Sequence, residues 1–358
     1  MDQCVHCGLC EAVCNYSNKN TGSYVELLKT RSVFGYKNNS DEIRKSSSSG
    51  GVFIALAESV LHNNGVVYGC VLNEEIEPVY RRAEKIDECF PMMGAKYVQS
   101  DLGTIFKDIE KDVRDKKQIL FTGAPCQCQA LKSYLKVRHI SKNTILFVEF
   151  LCHGGPSPRF FKDYKNEIEK RYKGKIVKFI FRDKERTKNL PSSRGMRSWL
   201  KTKDGNIIDI YNEHYNNIFF ELFKRNYVSR DCCYSCKYVG YDNRTGDISM
   251  ADFWGCEKSY RDFFDKKGIS LVLVNTKKGE ELFYSIRHGA QVIEVERDKC
   301  LQTPLVHVAQ KPENYDDFWN HYIQFGYQKT APRFTRVFRI KKKYYDFRHT
   351  LKTFVLGE

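Results

Sequence analysis

The chain has 358 residues, 14 cysteines and a formal net charge of +15 at pH 7, enough chain to bury a substantial core without disulfides. Its first cysteine stands three residues after Met1, which leaves no room for a secretory leader and favours a cytoplasmic protein with reduced thiols. Because no apolar run approaches the ~20 residues that span a bilayer, a membrane-spanning helix is excluded.

The N-terminal stretch CVHCGLCEAVC contains Cys4, Cys7, Cys10 and Cys14. This is the spacing that bacterial ferredoxins use, in duplicate, to hold two iron–sulfur clusters. Here the next cysteine is Cys70, and no second copy of the run follows. The remaining ligands must therefore come from the main body of the chain.

Helices and short apolar strands alternate after this run. A helix begins at about Gly51, and then come the strand VVYGCVL, a helix near DLGTIFKDIEKDVRD, the strand QILF, the helix CQALKSYL, the strand TILFVEFL and the helix PRFFKDYKNEIEKRY. This alternation predicts an α/β fold with a parallel core.

The second half of the chain is more mixed. KIVKFIFRD, MRSWLKTKDG and NIIDIY resemble antiparallel strands, and a helix near NIFFELFKRN and a strand–helix–strand around ISLVLVNTKKGEELFYSI follow. The whole is α+β, with a ferredoxin-like cluster loop at its N-terminus.

Two of the predicted strands end at a cysteine. Cys126 follows a Gly-Ala-Pro turn at the start of a helix, and Cys152 follows the next strand along the chain. The carboxyl ends of parallel strands meet at one edge of a sheet, so we expect the two thiols to face the same crevice. A helix N-terminus also favours the thiolate that a cluster requires.

A third source of ligands is the polar loop RDCCYSCKYVGYDNRTGDISMADFWG, which contains Cys233 and Cys236. With these two, the chain has the eight thiolates that two [4Fe–4S] clusters need. Two zinc sites with four cysteines each are the alternative. Cys232 is interpreted as a neighbour of Cys233, and small buried apolar side chains are expected at Cys70, Cys89, Cys128, Cys256 and Cys300.

Serines and two glycines precede the first helix in KSSSSGGVFIALAE, a combination that makes a phosphate-binding cradle. The chain then resembles the coenzyme F420 hydrogenase/dehydrogenase beta-subunit family, which includes 7-hydroxymethyl chlorophyll a reductase and relatives in polysaccharide gene clusters. The resemblance covers residues 1 to about 310 and is carried by SSGGVFIALAESVL, GAKYVQSDLG, LFTGAPCQCQALKSYL, FLCHGGPSP, CYSCKY with RTGDISMADFWG, and KGISLVLVNT.

The resemblance implies an FAD-containing iron–sulfur oxidoreductase. Electrons would pass from a one-electron donor such as ferredoxin, through [4Fe–4S] clusters and FAD, to coenzyme F420 or a small organic acceptor, for example in polysaccharide synthesis. Carried onto this chain, the FAD-binding residues are Ser48, Ser49, Gly50, Gly51, Lys96, Tyr97, Ser100, Gly123 and Pro125.

Three side chains are weaker candidates for proton transfer: His153, Asp247 and Asp252. Two other functions stay open. One is an electron-transfer subunit that serves a partner subunit and has no substrate of its own. The other is a zinc-stabilised protein that binds nucleic acid.

The predicted domains are an iron–sulfur segment (1–40), a flavin-binding α/β domain (41–140), a family domain with the cluster-ligand loop (141–310) and a basic aromatic tail (311–358). Between Lys329 and Lys352, nine Lys and Arg residues stand against one acid, Asp346. This tail is either a solvated helix packed by its aromatics or a contact surface for a membrane, an acidic partner or nucleic acid.

Overall fold

The computed structural model describes residues 25–184, 195–213 and 217–356, with side chains as far as Arg336, together with Val5, Gly8, Glu11, Cys14 and Tyr16. Cys4, Cys7 and Cys10 of the predicted cluster run lie outside the described residues. The chain divides into two compact units. Unit 1 comprises Met1–His153 and Asp231–Ala309, and unit 2 comprises Gly154–Arg230 and Gln310–Glu358.

The described strands form one sheet in each unit. In chain order they are β1 Ser32–Asn38, β2 Val66–Leu72, β3 Pro78–Ala83, β4 Ile119–Gly123, β5 Ile145–Phe150, β6 Gly174–Asp183, β7 Gly195–Thr202, β8 Ile207–Glu213, β9 Ile248–Asp252, β10 Ser270–Val274 and β11 Ala290–Glu294. Unit 1 holds an eight-stranded sheet of order β11-β1-β10-β9-β5-β4-β2-β3, and unit 2 holds the antiparallel sheet β6-β7-β8.

The helices connect these strands. They are α1 Asp41–Ser46, α2 Val52–His62, α3 Ile86–Cys89, α4 Ile105–Arg114, α5 Pro125–Val137, α6 Pro158–Tyr172, α7 Ile218–Lys224, α8 Cys256–Ser259, α9 Lys277–Ser285, α10 Arg297–Cys300, α11 Thr303–Val306 and α12 Tyr315–Leu356. Gly326 has a positive φ of 73° and interrupts α12. Among the described helices, none combines the length and apolar character that crossing a membrane requires.

The large sheet is parallel at its centre and antiparallel at its flanks. β2, β4, β5 and β9 run parallel to one another, whereas β1, β3, β10 and β11 pair antiparallel. The carboxyl ends of the four central strands therefore meet at one edge. The predicted α/β fold with a parallel core is confirmed, although β1 and β3 were not expected from the sequence.

Helices cover the central strands on two faces, because alternate residues of a strand point to opposite sides. Leu120 and Leu146 belong to the cluster that includes Leu56 of α2. Their neighbours Phe121 and Phe147 belong to a second cluster that includes Leu131 of α5. This layering fixes the first turn of each helix at the carboxyl edge of the sheet, where α/β proteins place their ligands.

Unit 2 has a core of aromatic rings. Phe160 of α6 is fully buried and lies among the rings of Phe219, Phe318, Tyr322 and Tyr327, at centroid distances of 5.1 to 6.3 Å. Such ring pairs add stabilisation beyond the area they bury. The region of α12 before its basic half is therefore anchored within its own unit.

Gly50 supports a direct test of the packing between the serine-rich segment and the sheet. A Cβ atom at Gly50 would lie 2.2 Å from the carbonyl oxygen of Tyr36 and 2.5 Å from the backbone nitrogen of Ser270. We expect Gly50→Ala to lower the free energy of unfolding by about 2 kcal/mol, the scale of overpacking in a buried site. Gly289→Ala is the control, because a Cβ there meets no atom within 4 Å. Equal unfolding midpoints in urea for the two variants would contradict the expectation.

Candidate functional site

Cys126 lies in the first turn of α5, directly beyond the carboxyl end of β4. Pro125 occupies the first helical position, where its missing N–H and fixed φ are tolerated. The Pro125 carbonyl accepts a hydrogen bond of 3.1 Å from the hydroxyl of Thr245. The Cys126 side chain is half-buried and forms a hydrogen bond with the Tyr16 side chain.

Cys232 and Cys236 reach the same neighbourhood from the loop before β9. Burial raises the pKa of Tyr16 far above its usual value, and the thiolates of Cys126, Cys232 and Cys236 raise it further. Burial likewise raises the pKa of Cys236, while the backbone N–H of Tyr238 donates to its sulfur and lowers that pKa. Thiols from two distant parts of the chain therefore act on one tyrosine.

Cys14, the described member of the N-terminal run, joins this group. Burial raises the pKa of Tyr238, with further contributions from the thiolates of Cys126, Cys236 and Cys14. Thiols from three segments thus act electrostatically on two tyrosines, and we call these four thiols the thiol cluster: Cys14, Cys126, Cys232 and Cys236. Among the described residues, no three Cys, His, Asp or Glu side chains already form an ion-binding arrangement.

Cys152 and Cys233 are the other described candidate ligands. Cys152 stands two residues beyond the end of β5 and is half-buried. Cys233 is half-buried as well and adjoins Cys232 in the 3-10 turn Asp231–Ser235. All the described cysteines that the sequence assigned to clusters therefore belong to unit 1.

A buried ion pair holds the loop that carries Cys236. Glu149 of β5 is 0% exposed, Arg244 is 1% exposed, and their charged atoms are 3.3 Å apart. Glu149 also accepts hydrogen bonds from the backbone N–H groups of Thr245 and Gly246, at 2.9 and 3.1 Å, and from the hydroxyl of Ser249 at 2.7 Å. These donors replace the hydrogen bonds to water that the carboxylate loses on burial.

The opposite side of the first turn of α5 contacts the predicted flavin residues. The Gln127 amide nitrogen donates to the Ser100 hydroxyl at 2.9 Å, and its amide oxygen accepts from Tyr80 at 3.0 Å and from the N–H of Ala124 at 3.0 Å. Gly123 lies beneath this group, since a Cβ there would be 2.7 Å from the Tyr80 oxygen. Ser100, Gly123 and Pro125 are thus brought together next to Cys126.

Lys96 lies on the same side of unit 1, while Tyr97 is its half-buried neighbour. The Lys96 ammonium donates to the carbonyl oxygens of Pro91, Met92 and Met93, at 2.8 to 2.9 Å. Although the side chain as a whole is half-buried, its charged end is enclosed, and burial lowers the pKa of Lys96 to about 8. Carbonyl oxygens thus engage all three ammonium hydrogens, and a nearby anion would act on the charge of Lys96.

The serine and glycine cradle divides into a packed part and an open part. The Ser49 hydroxyl lies within hydrogen-bond distance of the carbonyls of Ala251 and Ile269, so it is engaged by the sheet. Ser48 instead accepts from the N–H of Ala95 at 2.6 Å, which joins the cradle to the Lys96 segment. Gly51 precedes α2 with φ of +85°, and no side chain caps that helix.

The three candidates for proton transfer are placed differently. His153 follows Cys152, and Asp252 ends β9 at the carboxyl edge. Asp247 precedes β9 at the other end of that strand, where it accepts from the N–H of Phe147 at 2.8 Å and from the Thr276 hydroxyl at 2.7 Å. Asp247 therefore forms hydrogen bonds with β5 and with the start of α9, and no hydrogen bond of the described residues joins it to Cys126.

Tyr16 and Tyr238 are the residues that the sequence prediction missed. A signal is present in the chain, because each stands two residues after a cysteine of the cluster, as Cys14-x-Tyr16 and Cys236-x-Tyr238. The third omission is Cys232, which the sequence prediction treated only as a neighbour of Cys233, although its thiolate acts on Tyr16.

Fold and site together define a cysteine-rich α/β protein with a thiol in the first turn of the helix that follows a central strand. The family model for the C terminus of the coenzyme F420 hydrogenase/dehydrogenase beta subunit matches residues 116–299, just over half of the chain. The chain belongs to this family of oxidoreductase type, and the resemblance drawn from its motifs is confirmed.

A chain in a solved structure is similar at a distance. The structure is described as xenon derivatization of the F420-reducing [NiFe] hydrogenase complex from Methanosarcina barkeri. The match has a TM-score of 0.47 and 18% sequence identity, and it covers 77% of this chain and 84% of that chain. No curated protein matches the chain.

The Glu149–Arg244 pair can be tested by removing its negative charge. We expect Glu149→Gln to lower the free energy of unfolding by about 3 kcal/mol, because Arg244 is then left buried without a counter-charge. The control is Glu110→Gln, which breaks ion pairs of 2.8 and 3.1 Å with the more exposed Arg114 and Arg138 and costs at most about 1 kcal/mol. Urea unfolding measures both, and equal losses would show that burial of the pair does not determine its contribution.

Proposed function

We propose that the protein is an iron–sulfur flavoenzyme that takes electrons one at a time and delivers them in pairs. The observation that carries this proposal is the first turn of α5. Cys126 on that turn belongs to the thiol cluster and shares a hydrogen bond with Tyr16. The adjacent Gln127 donates a hydrogen bond to Ser100, one of the candidate flavin residues. One turn of helix thus links the two candidate cofactor sites and would leave a short distance for electron transfer between them.

The residues fit an iron–sulfur centre. Its ligands must be thiolates, and the described thiols are half-buried, unlike the buried Cys128 of the core. The hydroxyl of Tyr238 is buried and has no hydrogen-bond partner in the part of the chain that the structure describes. The proposed ligands of two [4Fe–4S] clusters are Cys4, Cys7, Cys10, Cys14, Cys126, Cys152, Cys233 and Cys236, with Cys232 as the competitor of Cys233.

The residues also fit a dinucleotide such as FAD. The uncapped N-terminus of α2 presents backbone N–H groups and the positive end of a helix dipole, which favour a phosphate. Ser48 and Lys96 stand on the linked segment and would supply a hydroxyl and a cation. When bound, a flavin exchanges single electrons with clusters and electron pairs with a substrate.

The partners follow from this chemistry. The donor is a one-electron carrier such as ferredoxin or a partner subunit. The acceptor takes two electrons and is either the deazaflavin coenzyme F420 or a small organic substrate of the kind used in polysaccharide synthesis. In this proposal His153 and Asp252, at the carboxyl edge, are the side chains placed to move a proton.

The cofactors can be measured before any substrate is known. We expect the full chain, purified without oxygen, to contain about eight iron and eight sulfide per molecule with one FAD. Zinc without flavin would contradict the proposal, and four iron with FAD would assign one of the two cysteine sets a structural role.

Cys126 provides the sharpest test of cluster ligation. We expect Cys126→Ala to lower the iron content by about four per chain, because a [4Fe–4S] centre needs all of its thiolates. Cys128→Ala is the matched control on the same helix, since Cys128 is fully buried in the apolar core. Iron and acid-labile sulfide are measured on anaerobic protein.

Equal iron in the two variants would contradict ligation by Cys126. Cys232→Ala and Cys233→Ala, prepared in the same series, identify the ligand among these adjacent thiols. The variant that loses iron marks the ligand, and the other serves as its control.

Lys96 allows a test of the flavin site that does not depend on turnover. We expect Lys96 to titrate at about 8 in the flavin-free protein, below the ordinary value of about 10.4, because burial disfavours its charge. Bound FAD should raise this pKa, since a phosphate stabilises the ammonium. NMR of ¹³C-methylated lysines measures both states, and Lys96→Arg identifies the signal. An unchanged Lys96 titration after FAD binds would contradict a phosphate contact.

A further inference from the structure

The side chain of Tyr238 is buried in unit 1. The residue is 2% exposed, and its hydroxyl oxygen has no hydrogen-bond partner among the residues that the structure describes. A buried O–H that leaves water without a new acceptor is costly, and native proteins seldom retain one without a function. We therefore expect a bound ligand to supply the hydrogen-bond acceptor for this hydroxyl.

Backbone contacts fix the position of Tyr238. Its N–H donates to the sulfur of Cys236, and its carbonyl accepts from the Arg244 guanidinium. Arg244 is itself held by Glu149 at 3.3 Å and by a two-way backbone bridge to Leu28, with N···O distances of 2.7 and 3.1 Å. The backbone that carries the phenol is thus fixed in position.

Burial has the largest effect on the pKa of this phenol, and three thiols raise that pKa further. Cys126, Cys236 and Cys14 act on it electrostatically, and they come from three separate segments of the chain. Tyr16 differs, because its side chain already shares a hydrogen bond with Cys126. Of the two tyrosines on which the thiol cluster acts, Tyr238 is the one whose hydroxyl hydrogen is available to a bound group.

We propose that Tyr238 donates its hydroxyl hydrogen to a sulfur of the iron–sulfur centre ligated by Cys126 and Cys236, and that this bond raises the reduction potential of that centre. The inference rests on the proposed function, because it needs the cluster. Reduction adds one electron from the donor and so one negative charge. The proton stays on Tyr238, whose O–H dipole stabilises the added charge.

The test compares Tyr238→Phe with the wild type and with Tyr241→Phe. Tyr241 lies three residues further along the same loop, and the thiolate that acts on it is Cys300, outside the thiol cluster. A dithionite titration of the anaerobic full-length protein, followed by electron paramagnetic resonance, gives the midpoint potential. We expect Tyr238→Phe to shift the potential to a more negative value at unchanged iron content, and Tyr241→Phe to leave it unchanged.

A second measurement separates tuning from a structural role. In the apo-protein, loss of an unpartnered hydroxyl should leave the melting temperature equal or higher, whereas loss of a structural hydrogen bond would lower it. If Tyr238→Phe fails to retain the cluster, 3-fluorotyrosine at position 238 keeps the hydroxyl but is the stronger acid, and it should raise the potential.

The outcomes distinguish this inference from the proposed function. Wild-type protein without iron and sulfide would overturn both. Iron-loaded Tyr238→Phe with the wild-type potential would overturn the role of Tyr238 alone. An unchanged potential with 3-fluorotyrosine at position 238 would do the same.

Discussion

The carboxyl edge of unit 1 depends on the buried ion pair of Glu149 and Arg244. Glu149 stands on a central strand and meets Arg244, two backbone N–H groups and the Ser249 hydroxyl. A buried carboxylate is tolerated only when its lone pairs are satisfied in this way. The loop before β9 carries the two backbone donors together with Cys236, so the ion pair fixes the loop that holds this thiol.

Residues 25–31 are held by the same loop. Leu28 pairs with Arg244, Thr30 binds the Tyr241 carbonyl at 2.8 Å, and the N–H of Glu26 contacts Gln129 of α5 at 3.3 Å. The segment is thus bound to the loop and to the helix that supply the other thiols. A change in any of these three parts is therefore expected to shift the other two.

Much of the fold could be predicted because local patterns decide it. Central strands such as β2 and β4 are short apolar runs between helices, and Gly and Pro mark the turns. β1 escaped prediction because its sequence SVFGYKN includes a lysine and an asparagine that are nevertheless buried. Lys37 lies 4.3 Å from the centre of the Phe263 ring, a contact between residues far apart in the chain. No local pattern encodes such a tertiary contact.

The site was predictable in its residue types and not in its arrangement. Each cysteine context was visible, since strand ends and helix starts are local features. Which thiols become neighbours depends on the pairing of β5 with β9 and on the Leu28–Arg244 bridge, which are long-range. The phenol of Tyr238 could not be foreseen for the same reason. The Tyr238 carbonyl accepts from Arg244, which is itself fixed by Glu149 and Leu28 from distant parts of the chain. The loop that carries the candidate ligand Cys236 is therefore fixed by the buried pair of Glu149 and Arg244.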